Sequence, residues 1–289
     1  RFTPELRRRI ERALLTMRGS PLGRLALLYL EQGNIEAALS QMRWLELSID
    51  LDREMRPMLL LLQHAGATTL GPTGTGPFRA ELNGLAQSLS LVNPEAVRAA
   101  ALRAADLVTA VTDETKAAIR AVIERGQREG VTVRDQARDI RQLVGLNERQ
   151  AVAVANYRAK LEEQGLSAAR VDYLVEQRTA KGIRYRAEMI ARTETIRSSA
   201  DGRRELWRQA VADGILDRAT KQVWVAAADA CPICRALDGR TVTVGSQFTS
   251  SIQTRGPGEK AVVTPVVDGP PAHPQCKCSL SLEIEEVAA

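Results

Sequence analysis

The chain has 289 residues and a formal charge of +5, because 40 lysines and arginines stand against 35 acidic residues. Hydrophobic residues make up 44% of it but aromatic residues only 3%, so Ala, Leu, Val and Ile must form the core, which favours helices over a β-sandwich. The mild excess of positive charge permits contact with nucleic acid without requiring it, and the length is enough for about two domains.

Residues 1–65 are predicted to form helices that pack as a bundle or dock on a partner. The first helix has apolar residues at helical spacing: Leu6, Ile10, Ala13, Leu14 and Met17. The second helix ends near Gly33, and its apolar residues are Leu25, Leu28 and Tyr29. A longer third helix carries one apolar face: Ile35, Ala38, Leu39, Met42, Leu45 and Ile49. Pro57 is expected to kink or end that helix, because proline lacks the N–H that an inner turn needs.

Residues 66–77 are rich in Gly, Thr and Pro and are predicted to be a linker, which places the main domain boundary there. The longest uncharged run, residues 57–78, overlaps this segment. Only residues 58–62 of it are densely apolar, whereas a membrane span needs about 20 apolar residues. We therefore expect no membrane span.

Residues 78–213 are predicted to form a helical domain of about six short helices. Capping residues or proline mark four helix starts: Asn93-Pro94, Thr132, Asn147 and Ser167. Gly145 and Gly165 mark two helix ends. One or two further helices are expected between about residues 183 and 211.

Residues 170–204 carry nine basic side chains against five acidic ones. A row of guanidinium groups can displace counterions from DNA, so this stretch is the best candidate for a surface that faces phosphates. The candidate nucleic-acid-binding residues are Arg178, Lys181, Arg184, Arg186, Arg197, Arg203 and Arg204. The alternative is a solvated helix face with local ion pairs.

After residue 213 the sequence favours short strands. The predicted strands are 223–227, 241–244, 261–267 and 279–284, separated by segments rich in Gly and Pro. Residues 214–289 therefore form a small β-rich module with few large apolar side chains, which needs a metal to fold. The predicted fold class is α+β, mainly α, with a helical bundle-like body followed by a small zinc-stabilised β-rich module.

All four cysteines lie in this module, together with one of the two histidines of the chain. Cys231 and Cys234 are three positions apart, so both thiolates can reach one tetrahedral ion. A second cluster can complete the shell with His273, Cys276 and Cys278. We expect a structural Zn²⁺ held by four of these five residues, and cysteines used in this way fit a reducing compartment.

Catalytic interpretations of this cluster are weaker. A thioredoxin-like pair needs its Cys-x-x-Cys in a βαβ unit, and no such unit is predicted. A zinc deaminase needs His-x-Glu, but Gly66 and Gln275 stand two residues after the histidines. A nuclease with a histidine base needs a free histidine, whereas His273 would bind the metal and His64 lies in an apolar context beyond the linker. The chain is therefore predicted not to be an enzyme.

Several motifs together resemble a known family. They are Trp224, Asp229, Cys-Pro-Ile-Cys at 231–234, Leu-Asp-Gly at 237–239, Pro-Pro-Ala-His-Pro-Gln-Cys-Lys-Cys at 270–278 and, upstream, Ala-Arg-Thr-Glu-Thr at 191–195. With these spacings the chain resembles the phage Mu F-like minor head protein family over roughly residues 95–284. One departure is Lys277, where arginine is common, and it keeps the positive charge.

The resemblance implies a head-morphogenesis protein of tailed phages, present in few copies and associated with the portal protein inside the procapsid. It implies a role in DNA packaging, retention or ejection, with double-stranded phage DNA and capsid or scaffolding proteins as further partners. The expected location is the interior of the capsid near the portal in the virion, and the host cytoplasm during assembly. The implied zinc ligands are Cys231, Cys234, His273 and one of Cys276 and Cys278. The alternative function is that of a metal-dependent DNA hydrolase or nuclease.

The helix segment around residue 193 has its own prediction. Arg192 and Glu194 are expected to tie the helical domain to the zinc module, together with Trp224 and Asp229. The alternatives are local ion pairs, of Arg192 with Glu188 and of Glu194 with Arg197, or a contact with DNA or the portal.

Overall fold

The computed structural model describes residues 3–16, 24–42, 44–68, 84, 94–143, 145–248 and 266–283. The described residues are mostly helical, with one small antiparallel sheet near the C-terminus, which confirms the predicted fold class. The helices are α1 (Thr3–Thr16), α2 (Arg24–Glu31), α3 (Ile35–Ser40), α4 (Trp44–Thr68), α5 (Pro94–Arg128), α6 (Val133–Leu143), α7 (Glu148–Glu163), α8 (Ala168–Ala212) and α9 (Pro232–Arg235). The strands are β1 (Lys221–Val225), β2 (Thr241–Thr243) and β3 (Ser279–Glu283). Among the described helices, none combines the length and apolar character that crossing a membrane requires.

The chain divides into two compact units, and the boundary between them falls within three helices. Unit 1 comprises Thr3–Arg56 and Arg103–Glu188, and unit 2 comprises Pro57–Leu102 and Met189–Ala289. These units do not follow the predicted ranges 1–65, 78–213 and 214–289, because α4, α5 and α8 each contribute residues to both.

In unit 1 the predicted apolar faces are right for α1 and for Ala38 and Leu39 of α3, and wrong in part for α2 and α4. The expected residues of α1 within the described range, from Leu6 to Leu14, are buried. The predicted third helix is instead two helices, because α3 ends at Ser40 and α4 begins at Trp44. This break changes the register of the apolar stripe, so Leu45 and Ile49 are exposed while the buried face of α4 begins at Leu47. In α2 the exposed residues include Leu25 and Leu28, and Ala26 and Leu30 are buried in their place.

Pro57 does not end α4, which continues for another 11 residues to Thr68. The side chain of Pro57 is exposed, so water can bind the helix carbonyl that loses its N–H partner. The predicted linker also begins too early, since Gly66–Thr68 form the end of α4. Residues 69–77 lie outside the described residues.

Two predicted helix starts are confirmed by their capping contacts. The Thr132 hydroxyl accepts the Asp135 N–H at 3.3 Å at the start of α6. Asn147 and Gln150 form a capping box at the start of α7, each side chain accepting the other residue's N–H. The predicted helix ends at 145 and 165 also agree with the structure, where both glycines have a positive φ that favours chain reversal.

The largest departure is α8, a single helix of 45 residues where two or more were expected. The predicted break was placed at about residue 183, beside Gly182, yet glycine costs a helix only about 1 kcal/mol. Gly182 is used for packing in unit 1, since a Cβ there would lie 2.8 Å from Leu146 Cδ2. The end of α8 at Ala212, followed by Gly214 with φ +73°, lies within two residues of the predicted end.

The sheet belongs to unit 2 and has the order β2-β1-β3, with both pairs antiparallel. Trp224 of β1 and Phe248 are fully buried, and their rings meet edge to face at 5.5 Å. The same core includes Leu206 and Trp207 of α8 and three of the four cysteines. The predicted strand at 261–267 lies largely outside the described residues, although Val267 forms an antiparallel bridge with Phe248.

Candidate metal centre

Cys231 and Cys234 are presented by α9, the shortest of the described helices. Cys231 is the N-cap of this helix, and Pro232 occupies its first position, where the missing N–H has no cost. The Arg235 N–H donates to the Cys231 carbonyl at 2.9 Å and closes the turn. One helical turn therefore points both thiols to the same side.

The other three candidate ligands lie on the segment that leads into β3. The Cys276 N–H donates to the His273 carbonyl at 3.1 Å, which makes a tight turn between these ligands. Gln275, inside the turn, has a φ of +64°, a left-handed conformation that is uncommon for a residue other than glycine. Cys278 directly precedes β3, so the sheet fixes its position.

The five side chains come together in two overlapping groups. Cys231, Cys234 and His273 form one, Cys234, Cys276 and Cys278 the other, and the ligand atoms within each group lie within 4.8 Å of one another. His273 Nε2 is 3.1 Å from the Cys231 sulfur and 3.2 Å from that of Cys234, which in turn is 3.6 Å from the Cys276 sulfur. Thiolates that bind one tetrahedral ion at about 2.3 Å lie about 3.8 Å apart, so the spacing fits a metal.

His273 is oriented for metal binding by a backbone contact. Its Nδ1 lies 2.7 Å from the carbonyl oxygen of Pro274. A carbonyl oxygen can only accept, so Nδ1 carries the proton and the lone pair is on Nε2, the atom that faces Cys231 and Cys234. The same arrangement fixes the ring of metal-binding histidines in general.

The thiols are buried together, which disfavours their charged form. Burial, with the neighbouring Cys276 as the next contribution, raises the pKa of Cys234 well above the ordinary value. Burial likewise raises the pKa of Cys278. A thiol binds a metal as thiolate, so a cation at this position would reverse the cost of placing several thiolates side by side. All four cysteines are free of disulfides.

Two of the residues predicted to tie the helical domain to the module lie inside the module itself. Trp224 forms its core, and its backbone exchanges hydrogen bonds with the 239–240 segment at 2.9 Å. Asp229 is exposed and forms an ion pair with Lys277, which lowers the pKa of Asp229. This pair joins the segment before α9 to the segment between Cys276 and Cys278.

One contact from α8 to the segment that carries His273 and Cys276 is made by Thr193, which lies between the predicted residues Arg192 and Glu194. Thr193 is buried, and its hydroxyl accepts the Gln275 N–H at 3.2 Å. Its neighbours Arg192 and Glu194 were the predicted ones, and Glu194 is only 2% exposed. The only sequence signal for this contact is that Thr193, a small polar residue, stands between two charged ones. Which way its side chain points depends on how the helix packs, and the sequence does not show that.

The predicted nucleic-acid-binding residues are divided between the two units. In unit 1, Arg178, Lys181 and Arg184 are exposed on α8, and the Arg178 guanidinium lies 4.7 Å from the ring centre of Tyr157. The prediction is wrong for Arg186, which is 1% exposed. Its guanidinium donates to the carbonyl oxygens of Val111 and Gly145, to the Thr115 hydroxyl and to the Glu114 carboxylate.

In unit 2 the remaining three candidate nucleic-acid-binding residues, Arg197, Arg203 and Arg204, are half-buried. Arg203 donates to the Leu280 carbonyl at 3.3 Å, and burial lowers the pKa of Arg203. Arg204 lies 3.8 Å from the carboxylates of Asp201 and Asp268. Arg203 and Arg204 therefore hold unit 2 together, and Arg197 lies on the same half-buried part of α8.

Unit 1 contains a second polar cluster, beside a cavity of about 370 Å³. The largely buried Arg158 guanidinium lies 2.7 Å from the Asp172 carboxylate and 3.3 Å from that of Asp139. Burial raises the pKa of Asp139 despite Arg158 and Arg138. Partial burial also acts to raise the pKa of Asp172, but the hydrogen bond and charge of Arg158 outweigh it and lower that pKa.

Comparison with known proteins gives no match: no protein-family model, no curated protein and no solved structure matches this chain.

Proposed function

We propose that the chain is a minor head protein of a tailed phage, an interaction protein that supports head assembly and DNA packaging, retention or ejection. The observation that supports this best is the contact between two motifs, made by residues that are 82 positions apart in the chain. Thr193, in the Ala-Arg-Thr-Glu-Thr segment of α8, contacts Gln275, in the segment that holds His273 and the last two cysteines. The residues that carry the family resemblance thus form one local structure.

We propose further that the metal is Zn²⁺ and that its role is structural. Thiolates with an imidazole are the donor set that zinc prefers, and four of the five residues Cys231, Cys234, His273, Cys276 and Cys278 would fill a tetrahedral shell. The bound ion would supply cross-links between α9 and the segment before β3. Cys234, Cys276 and Cys278 are buried in the core of unit 2, so these cross-links would strengthen that core.

The proposed partners are the portal protein, double-stranded phage DNA, and capsid or scaffolding proteins. The proposed place of action is the capsid interior near the portal, after assembly in the host cytoplasm. For DNA, the exposed basic face of α8 in unit 1 supports the proposal: Arg178, Lys181 and Arg184 lie at helical spacing, and Tyr185 beside them is 54% exposed. Exposed basic side chains along one helix face suit contacts with the phosphates of duplex DNA.

Quantitative mass spectrometry of purified phage particles and of procapsids tests this function. We expect the chain in both, in fewer copies than the major capsid protein, and cross-linked to the portal protein after treatment with a short amine-reactive reagent. Its absence from both kinds of particle would contradict the proposal. Incubation of the purified chain with plasmid DNA and Mg²⁺ or Zn²⁺ tests the nuclease alternative, which would gain support from cleavage that disappears in Cys234→Ser.

A further inference from the structure

Thr193 is the point at which α8 contacts the turn between two candidate metal ligands. Its hydroxyl lies 2.8 Å from the Met189 carbonyl oxygen and 3.2 Å from the Gln275 backbone nitrogen. The single hydroxyl proton must go to Met189, because a carbonyl oxygen cannot donate. The oxygen lone pairs are therefore directed to the Gln275 N–H, and Thr193 is only 9% exposed, so water competes little for this contact.

Gln275 needs such a contact more than most residues do. Its φ of +64° lies in the left-handed region, which a side chain with a Cβ rarely adopts without support from its surroundings. It separates His273 from Cys276 in the turn that the 3.1 Å hydrogen bond between them closes. If the backbone at Gln275 relaxed to a negative φ, the peptide planes on both sides would turn, and the imidazole and the thiol would no longer converge.

We infer that Thr193 is a positioning residue for the metal centre: its hydroxyl holds the left-handed turn that brings His273 and Cys276 to one ion. The inference rests on the proposed metal. It concerns an effect through the backbone, since the Thr193 side chain contacts Gln275 and is not itself a ligand. A site on a turn held in advance binds its ion more tightly than one that must order the turn on binding.

Two substitutions separate the hydroxyl from the shape of the side chain. Thr193→Val keeps the branched shape and removes the hydroxyl, whereas Thr193→Ser keeps the hydroxyl. Thr109→Val is the matched control, because the exposed Thr109 hydroxyl makes the same kind of bond inside a helix, to the Ala105 carbonyl at 3.0 Å, in unit 1. All three are made in the full chain.

The affinity for Zn²⁺ is measured by competition with a chromophoric chelator, and the visible absorption of the Co²⁺-loaded chain reports the ligand geometry. We expect Thr193→Val to bind Zn²⁺ about 10-fold more weakly, the loss typical of removing an outer-shell contact, with an altered Co²⁺ spectrum. Thr193→Ser and Thr109→Val are expected to bind as the original chain does.

Equal Zn²⁺ affinity and the same Co²⁺ spectrum in Thr193→Val and the original chain would overturn the inference. An original chain that binds neither ion overturns the proposed metal as well, so the two failures are distinguishable. If Thr193→Val does not fold, hydrogen exchange at the Gln275 amide of the original Zn²⁺-loaded chain decides instead. Slow exchange supports the bond to Thr193, and exchange as fast as in an unstructured peptide overturns it.

Discussion

The Cα of Gly202 in α8 packs so closely against the carbonyl oxygen of Gln63 in α4 that a Cβ at position 202 would overlap it. The contact is reciprocal within unit 2, since a Cβ at Gly66 would lie 2.6 Å from the Cα of Ser199. Two glycines thus allow the backbones of the two helices to touch.

Gly202→Ala is therefore expected to lower the free energy of unfolding by about 2 kcal/mol, because the neighbour is a backbone atom that cannot turn aside. Gly182→Ala in the same helix is the matched control. The atom facing it is the end of the flexible Leu146 side chain, and alanine gains about 1 kcal/mol of helix propensity over glycine. Denaturation with urea measures the free energy of unfolding of both variants. Equal changes in the two variants would contradict the close backbone contact at Gly202.

If the proposed metal is bound, its removal is expected to loosen unit 2 and leave most of the helical signal unchanged. Every candidate ligand lies in unit 2, as do Trp207 and Trp224. The helices α1, α6 and α7 lie entirely in unit 1. Treatment with a chelator should therefore shift the tryptophan fluorescence to longer wavelength with a small change in far-ultraviolet circular dichroism. A large loss of the helical signal would show that unit 1 depends on the metal.

Single substitutions should rank the ligands. Cys234 belongs to both groups of ligand atoms, so Cys234→Ser removes a donor from each. We expect it to lower the bound Zn²⁺, measured by inductively coupled plasma mass spectrometry, further than Cys231→Ser or Cys278→Ser does. Undiminished Zn²⁺ in Cys234→Ser would place the ion elsewhere.

The Arg158 cluster predicts opposite effects for its two aspartates. The pKa of Asp172 is lowered in the folded chain, so its ionised form contributes stability above the unfolded pKa of about 3.9, and this is lost as the pH falls through the folded pKa. The pKa of Asp139 is raised, so its protonated form contributes stability that is fully present below the unfolded pKa and is lost as the pH rises through the folded pKa.

At pH 7, Asp172→Asn should thus lower the free energy of unfolding by about 1 kcal/mol, and Asp139→Asn should leave it unchanged or raise it. The effect of Asp172→Asn should shrink when denaturation is repeated in acid. A pH-independent loss of equal size in both variants would contradict the assigned pKa directions.

Arg184 and Arg186, two residues apart on α8, should behave differently. Removing the buried Arg186 takes away a donor from the Gly145 carbonyl, the Thr115 hydroxyl and the Val111 carbonyl, of which the last still accepts the Thr115 hydroxyl. Arg186→Met is therefore expected to cost about 3 kcal/mol of stability. Arg184 is exposed and should contribute instead to binding of duplex DNA. Arg184→Met should reduce the slope of log affinity against log salt by about 1, with unchanged stability. DNA affinity that does not vary with salt would exclude phosphate contacts by this face.

Features governed by neighbouring residues could be predicted from the sequence. The caps at Thr132 and Asn147 and the ends of helices at glycine depend on contacts within four residues, and the spacing of Cys231 and Cys234 is set by one turn. Three of the four predicted strands also correspond to β1, β2 and β3, with shifts of up to two residues in their bounds.

Features that depend on contacts between residues distant in sequence could not be predicted. Arg186 carries the same side chain as exposed Arg184, and only the partners on α5 and at Gly145 make its burial possible. Glycine is usually a helix breaker, but Gly202 is required where α4 touches α8. Thr193 acquires its contact because the turn at Gln275, 82 positions away, packs onto it.

Five donors at a site for four also affect how fast an ion can be exchanged. Cys276 and Cys278 both lie near Cys234, so at a bound ion one sulfur would enter the shell while another leaves, and the ion would not need to be released into water. Such an associative route lowers the barrier to transfer without changing the equilibrium constant. If the proposed metal is bound at this site, it would therefore exchange with an acceptor thiol faster than an ion at a site of four donors.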